Sequence, residues 1–273
     1  MTQITSRNNN LICECAKLKD KKYRDKSALF VFEGKKLFFE SMECGTEIEK
    51  IFVTDKGLSL IQGVKTDAEI YHVTDTVYEK LSDDHSPDGI FCVARQDRNI
   101  HRLVDDKAGI FWGNEYNKLF MAVSVRDPGN LGTILRTASA MGIDAVLLSG
   151  DCVDIYNPKT VRSAMGALFK QKTVKFKDTA GIINELKDCK ISVYAAALKE
   201  NSRVLGSFNL PFRHCFVAGN EGHGLDDAII NLCSDTVIIP MMPNNESLNV
   251  ATASSVLMWE SCKDKLLSRS VND

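Results

Sequence analysis

Two loops and one helix start carry the residue types from which a ligand site is made. Residues 216–218 form an apolar, strand-like run that ends in Gly219-Asn220-Glu221-Gly222-His223-Gly224. Residues 237–239 form a second such run, which ends in Pro240-Met241-Met242-Pro243-Asn244-Asn245-Glu246. A helix of small residues is expected from Ser247, carrying Asn249, Ala251, Ala253, Ser254 and Ser255. Glycines let a backbone approach a ligand closely, and a helix start offers unpaired N–H groups beside capping side chains. Loops at the carboxyl ends of neighbouring strands are where open α/β sheets bind ligands. The chemistry predicted is recognition of a small molecule, mainly by main chain.

A further cluster lies upstream. It reads Asn130-Leu131-Gly132-Thr133-Ile134-Leu135-Arg136-Thr137-Ala138, with Asn157, Arg162, Ser163 and Gly166 beyond it. Taken singly, these residues have ordinary structural explanations. Gly132 and Gly224 suit turns, Arg136 suits an exposed helix face, and Asn249 suits a helix cap. Near the N-terminus, Lys17, Lys19, Lys21, Lys22, Arg24 and Lys26 outnumber Glu14, Asp20 and Asp25. Leu11, Ile12, Cys15 and Leu18 have helical spacing, so this stretch reads as an amphipathic helix running into a basic loop. It is either a solvated charged face or a phosphate-binding edge.

The elements that must position these residues alternate along the chain. Strands are expected at 28–32, 51–53, 69–73 and 90–94, with helices at 35–44 and 75–81 between them, a compact α/β unit of roughly 100 residues. Residues 95–106 are polar and charged and read as a linker, whose bounds are set at 99–117. A second series follows. It has strands at 119–125, 144–148, 173–176, 191–197 and 214–218, and helices at 131–141, 160–168 and 180–188. The uninterrupted apolar run at 119–125 suits a strand buried on both faces of a parallel sheet. The predicted organisation is therefore residues 1–98, a linker at 99–117, and a larger α/β domain with a mostly parallel sheet at 118–273.

Composition narrows the classes. Apolar residues at 44% and charged residues at 26% are globular values. A net charge of −2 argues against a uniformly basic nucleic-acid binder, though not against a local basic face. No apolar run is long enough for a membrane span, and the start MTQITSRNNN lacks the layout of a secretory signal. The nine cysteines are scattered without metal-like pairs, as expected of reduced thiols in a cytoplasmic protein. His72, His85 and His101 show no ligand spacing, so no metal site is expected.

Together, the three clusters resemble the motifs of the SpoU (TrmH) family of RNA 2′-O-ribose methyltransferases, in the SPOUT superfamily. Asn130 to Arg136 resembles N-x-G-x-x-x-R, Gly219 to Leu225 resembles G-x-E-x-x-G-L, and Ile239-Pro240-Met241 with Ser247-Leu248-Asn249-Val250-Ala251 resembles I-P-M…S-L-N-V-A. Residues 6–96 resemble the substrate-binding domain that often precedes this catalytic domain, itself similar to a small large-subunit ribosomal protein. Lys17-Leu18, Lys22-Tyr23-Arg24 and Phe30-Val31-Phe32-Glu33-Gly34 carry that likeness.

The resemblance implies a trefoil knot, a homodimer formed through the knotted domain, and S-adenosylmethionine held against Gly219, Ile239 and Leu248, with Asn220, Met241 and Leu198 nearby. It implies catalytic roles for Arg136, Asn130, Glu221, Ser247 and Asn249. RNA contacts are expected from Lys17, Lys21, Lys22, Arg24 and Arg162. The full N-terminal domain favours large-subunit rRNA over tRNA. One departure is Met165, bulkier than the residue usual before Gly166. Two other readings compete: a catalytically silent RNA-binding protein of the same fold, and a nicotinamide-dependent oxidoreductase. The latter lacks its G-x-G-x-x-G, since the turn here is Gly129-Asn130-Leu131-Gly132.

Overall fold

The computed structural model describes residues 1–104, 112–220, 222–242 and 247–269, and it divides into two compact units. The first unit contains β1 (Thr2–Ile4), α1 (Asn10–Lys17), α2 (Lys21–Ser27), β2 (Leu29–Glu33), α3 (Lys35–Glu43), β3 (Ile48–Val53), α4 (Asp55–Leu60), β4 (Glu69–Val73), α5 (Asp75–Leu81) and β5 (Ile90–Arg95). Its strands lie in the order β1-β4-β3-β5-β2. β1 and β3 run parallel to β4, and β5 is antiparallel to β2 and β3. Side chains alternate across a strand, so β2 faces two ways. Val31 joins Ile12, Leu18, Val77 and Leu81 in one core. Phe30 and Phe32 point to the other face, where Phe30 meets the Tyr156 ring at 4.7 Å and Phe32 meets Phe169 edge-on at 5.2 Å.

Those partners come from a distant part of the chain. The first unit takes in residues 154–169, leaving the second unit after Val153 and returning at Lys170. The segment holds α7 (Pro158–Ala164) and a 3-10 turn at Met165–Phe169. The helix expected over 160–168 breaks at Met165, where φ is +52°, a region side chains rarely enter. The division at 98 and 118 drawn from sequence thus misses this excursion. It also misses β6 (His101–Leu103), which lies inside the expected linker and pairs in the second sheet.

Arg24 is corrected by the fold. Expected on an RNA-facing edge, it is 1% exposed. Its Nη1 donates to the carbonyls of Leu18 (2.9 Å) and Lys19 (2.6 Å), and its Nη2 donates to Asp154 Oδ2 at 2.7 Å. A buried guanidinium is tolerated only when paired and hydrogen-bonded, and here both conditions hold. The basic loop expected around it is the helix α2.

The second unit comprises β6, β7 (Lys118–Ala122), α6 (Pro128–Met141), β8 (Ala145–Ser149), β9 (Thr173–Phe176), α8 (Thr179–Asp188), β10 (Ser192–Ala196), β11 (Arg203–Val204), β12 (His214–Ala218), α9 (Asp227–Leu232), β13 (Asp235–Ile238) and α10 (Val250–Arg269). The strands lie in the order β11-β13-β10-β12-β7-β8-β9-β6. Every described pairing is parallel, going beyond the mostly parallel sheet expected. β7, β8 and β12 are buried almost end to end, as their apolar sequences require.

Two helix starts differ from expectation. α6 begins at Pro128 because Asp127 caps it, its carboxylate accepting from Asn130 N at 2.8 Å, and proline is favoured in a first turn. α10 begins at Val250 rather than Ser247, because Asn249 is its cap.

Candidate active site

The glycine loop after β12 is shaped by close backbone packing. A Cβ on Gly219 would stand 2.3 Å from both the carbonyl carbon and oxygen of Gly224, so no other residue fits. Asn220 and Gly224 close the loop with paired main-chain bonds of 3.1 and 2.9 Å, and Gly224 takes φ +67°. The Asn220 side chain works inward. Its Oδ1 accepts from Gly222 N at 2.8 Å and its Nδ2 donates to Ser124 O at 2.9 Å. Glu221 lies outside the described residues, as do Pro243, Asn244, Asn245 and Glu246.

Ser124 is anchored in turn. Its N–H donates to Ser149 Oγ at 2.8 Å, and that hydroxyl donates to Asp151 Oδ1 at 2.6 Å. Burial works against charge on Asp151, but hydrogen bonds from Ser124 and Ser149 outweigh it and hold the carboxyl below the usual carboxylate range. A chain of hydrogen bonds through the side chains of Asp151, Ser149 and Asn220 and the main chain of Ser124 thus ties the glycine loop to the end of β8.

At the carboxyl ends of β10, β12 and β13 these loops enclose a cleft of about 420 Å³. Gly219, Asn220, Ile239, Met241, Leu248 and Leu198 all line it, so the six residues expected to hold a cofactor meet at one place. Leu198 stands at its rim, 69% exposed. Ser247 lines the cleft too. So do His223 and Leu225, which sequence reasoning passed over although they share the glycine loop, and Lys199 and Asp227, which form a 2.6 Å ion pair. The volume falls among those of small-molecule sites, roughly 300–1,000 Å³. The apolar walls and close main chain suit S-adenosylmethionine, whose adenine needs a narrow apolar slot.

The remaining residues stand on α6 and α10, which pack together. Asn249 caps α10, its Oδ1 accepting from Ala251 N at 2.9 Å, while its Nδ2 donates to Asn130 Oδ1 at 3.1 Å. Seven residues along α6, Thr137 Oγ1 lies 3.3 Å from Ser255 Oγ. Asn130 and Thr137 therefore share the α10-facing side of α6. Arg136, next to Thr137, is exposed, and no described residue forms an ion pair with it.

Arg162 belongs to the first unit. It is exposed on α7, and its Nη2 donates to Glu33 Oε1 at 3.0 Å. Lys17, Lys21 and Lys22 are exposed in the same unit, with Lys21 paired to Asp25. All nine cysteines are free thiols, and no helix among the described residues is long and apolar enough to cross a membrane.

Comparison with known proteins places this arrangement. Residues 117–259 match the SpoU rRNA Methylase family, and residues 9–92 match the MRM3-like substrate binding domain. The chain is 30% identical to the 23S rRNA (guanosine(2553)-2′-O)-methyltransferase RlmP of Bacillus subtilis, over 95% of this chain and 98% of that protein. A crystal structure of an RNA 2′-O ribose methyltransferase superposes with a TM-score of 0.81 at 27% identity, covering 97% of this chain and 100% of that one. An AdoMet-bound rRNA methyltransferase from Sinorhizobium meliloti gives 0.82 at 25% identity, covering 96% and 98%. The chain belongs to the SpoU rRNA methylase family.

Proposed function

We propose that the protein methylates a ribose 2′-hydroxyl of large-subunit rRNA, using S-adenosylmethionine held in the cleft of the second unit. The observation that carries this reading is the convergence of the glycine loop, the β13 loop and the start of α10 on that cleft, with Asn249 joined to Asn130. The rRNA substrate is supported by the full-length relative, which by its name acts on 23S rRNA.

When bound, S-adenosylmethionine supplies a methyl group already activated on a sulfonium. The protein then has to align the 2′-oxygen with that methyl and manage one proton. Orientation of this kind supplies roughly 7–11 kcal/mol of a barrier. A guanidinium, with a pKa above about 12, is a poor general base but a good bidentate grip on phosphate. Arg136 therefore fixes the ribose-phosphate and stabilises the developing alkoxide. Asn130, held by Asn249, orients the ribose or the arginine, and Ser247 contacts the target nucleotide from the cleft wall. Gly219, Ile239 and Leu248 hold the cofactor, with Asn220, Met241 and Leu198 beside them. The first unit grips the RNA through Lys17, Lys21, Lys22 and Arg162. The family likeness further supports a trefoil knot in the C-terminal segment, a homodimer formed through it, and a cytoplasmic location.

The test is methyl transfer from labelled S-adenosylmethionine to unmodified rRNA and to tRNA, followed by nuclease mapping. Label is expected at one 2′-O-methyl nucleotide of large-subunit rRNA. Label in tRNA alone would overturn the substrate assignment. An Arg136→Lys protein with near-normal turnover would overturn the role of Arg136.

A further inference from the structure

Tyr23 is an exposed aromatic ring set among cations. It stands on α2, 37% exposed, directly before the buried Arg24. The ammonium groups of Lys17 and Lys22 lie over the ring, 5.7 and 6.0 Å from its centre, on exposed, flexible stems that can swing aside for a base. Neither lysine has an ion-pair partner among the described residues, whereas neighbouring Lys19 and Lys21 are paired with Asp83 and Asp25. The ring takes no part in the core cluster of the first unit, to which Ile12, Cys15 and Leu18 belong.

Arg24 explains why this group is held in place. Its guanidinium binds the carbonyls of Leu18 and Lys19, just past the end of α1, and so fixes the elbow between α1 and α2. Lys17 closes the last turn of α1, while Lys22 and Tyr23 open α2. The spacing of ring and cations is therefore set by a buried hydrogen-bond cluster.

We propose that Tyr23 is a stacking platform for an unpaired RNA base, with the ammonium groups of Lys17 and Lys22 binding the phosphates on either side. Proteins read structured RNA chiefly at loops and bulges, where unstacked bases lie on aromatic side chains. Lysines alone bind any polyanion, and the ring adds a requirement for a base that has left the helix. This assignment rests on the reading of the protein as an rRNA methyltransferase and adds a nucleotide contact remote in sequence from the catalytic motifs.

The experiment measures the Kd of the full-length protein for an unmodified 23S rRNA transcript at several salt concentrations, with S-adenosylmethionine binding measured in parallel. Tyr23→Leu is expected to weaken RNA binding about ten-fold at every salt concentration without changing the salt slope. Tyr23→Phe, which keeps the ring, is expected to stay within about two-fold of the parent. Lys17→Gln with Lys22→Gln is expected to reduce the salt slope by about two. S-adenosylmethionine binding is expected to be the same in all variants. Parent-like RNA binding by Tyr23→Leu would overturn the platform and leave the enzyme reading standing. Equal losses in Tyr23→Phe and Tyr23→Leu would overturn stacking in favour of the hydroxyl. A parent protein that binds S-adenosylmethionine but not the transcript would overturn the platform together with the rRNA assignment.

Discussion

Asn249 donates through Nδ2 to Asn130 Oδ1 at 3.1 Å while its own Oδ1 caps α10. One amide therefore serves two helices, and its two ends can be separated by mutation. Asn249→Asp keeps an acceptor for the cap but loses the donor, so Asn130 is repelled or its amide reversed. Melting is expected to be near that of the parent, with kcat down roughly ten-fold, or about 1.4 kcal/mol. Asn249→Ala loses both functions and is expected to add about 1 kcal/mol of destabilisation. Parent-like kcat in Asn249→Asp would show that the link to Asn130 is dispensable.

Gly219→Ala sets a methyl group 2.3 Å from the Gly224 carbonyl, and main chain cannot turn aside as a side chain does. The loop must open, and S-adenosylmethionine affinity measured by calorimetry is expected to fall at least about ten-fold, or 1.4 kcal/mol. Gly222→Ala is the control, since among the described residues its added carbon meets only Asn220 Oδ1, at 3.5 Å. Equal affinities in the two variants would sink the argument from close packing.

Arg24→Ala tests a structural role against an RNA contact. It leaves Asp154 unpaired beneath the α1–α2 elbow, and breaking a buried pair costs about 3–5 kcal/mol. A large drop in denaturation midpoint without RNA present is expected. Arg162→Ala removes an exposed side chain from Glu33 and is expected to cost less than about 1 kcal/mol. The reverse order of stabilities would contradict the burial assigned to Arg24.

His214 makes stability depend on pH. The carbonyl of Pro211, 2.7 Å from Nδ1, can only accept, so Nδ1 carries the proton and Nε2 accepts from Ser261 Oγ at 2.8 Å. Burial holds the ring below its ordinary pKa of 6.5, with Lys118 adding to the effect. Below about pH 6.5 the unfolded chain takes up a proton that the folded chain refuses, so unfolding free energy falls as pH falls. Its contribution is fully present above that pH. Urea titrations from pH 7.5 to 5.5 should show the decline, and His214→Asn should flatten it.

Much of the second unit was legible because local pattern and packing agree there. Parallel strands buried on both faces must be largely apolar, and 119–122, 145–148 and 215–218 are entirely so. Leu198, Gly219, Asn220, Ile239 and Met241 closely follow strand ends, but it was the likeness to the family motifs that singled out these five and Leu248. What stayed hidden depends on distant partners. Arg24 reads as one more surface cation until Asp154 is brought to it, 130 positions along the chain. Met165 sits in an unbroken helical pattern, and only its backbone reveals the break. Ser247 looked like a helix start because serine caps helices, but Asn249 captures the N–H groups two positions later.

The path of residues 154–169 bears on how such enzymes exchange parts. Phe30 and Phe32 pack against Tyr156 and Phe169, and the charge of Arg24 is met by Asp154. A fragment cut at residue 97 would leave two phenylalanines facing water and a guanidinium without its carboxylate. Grafting the first unit onto another catalytic domain therefore requires moving two separate stretches of gene. During synthesis, that unit likewise stays unfinished until Phe169 has left the ribosome.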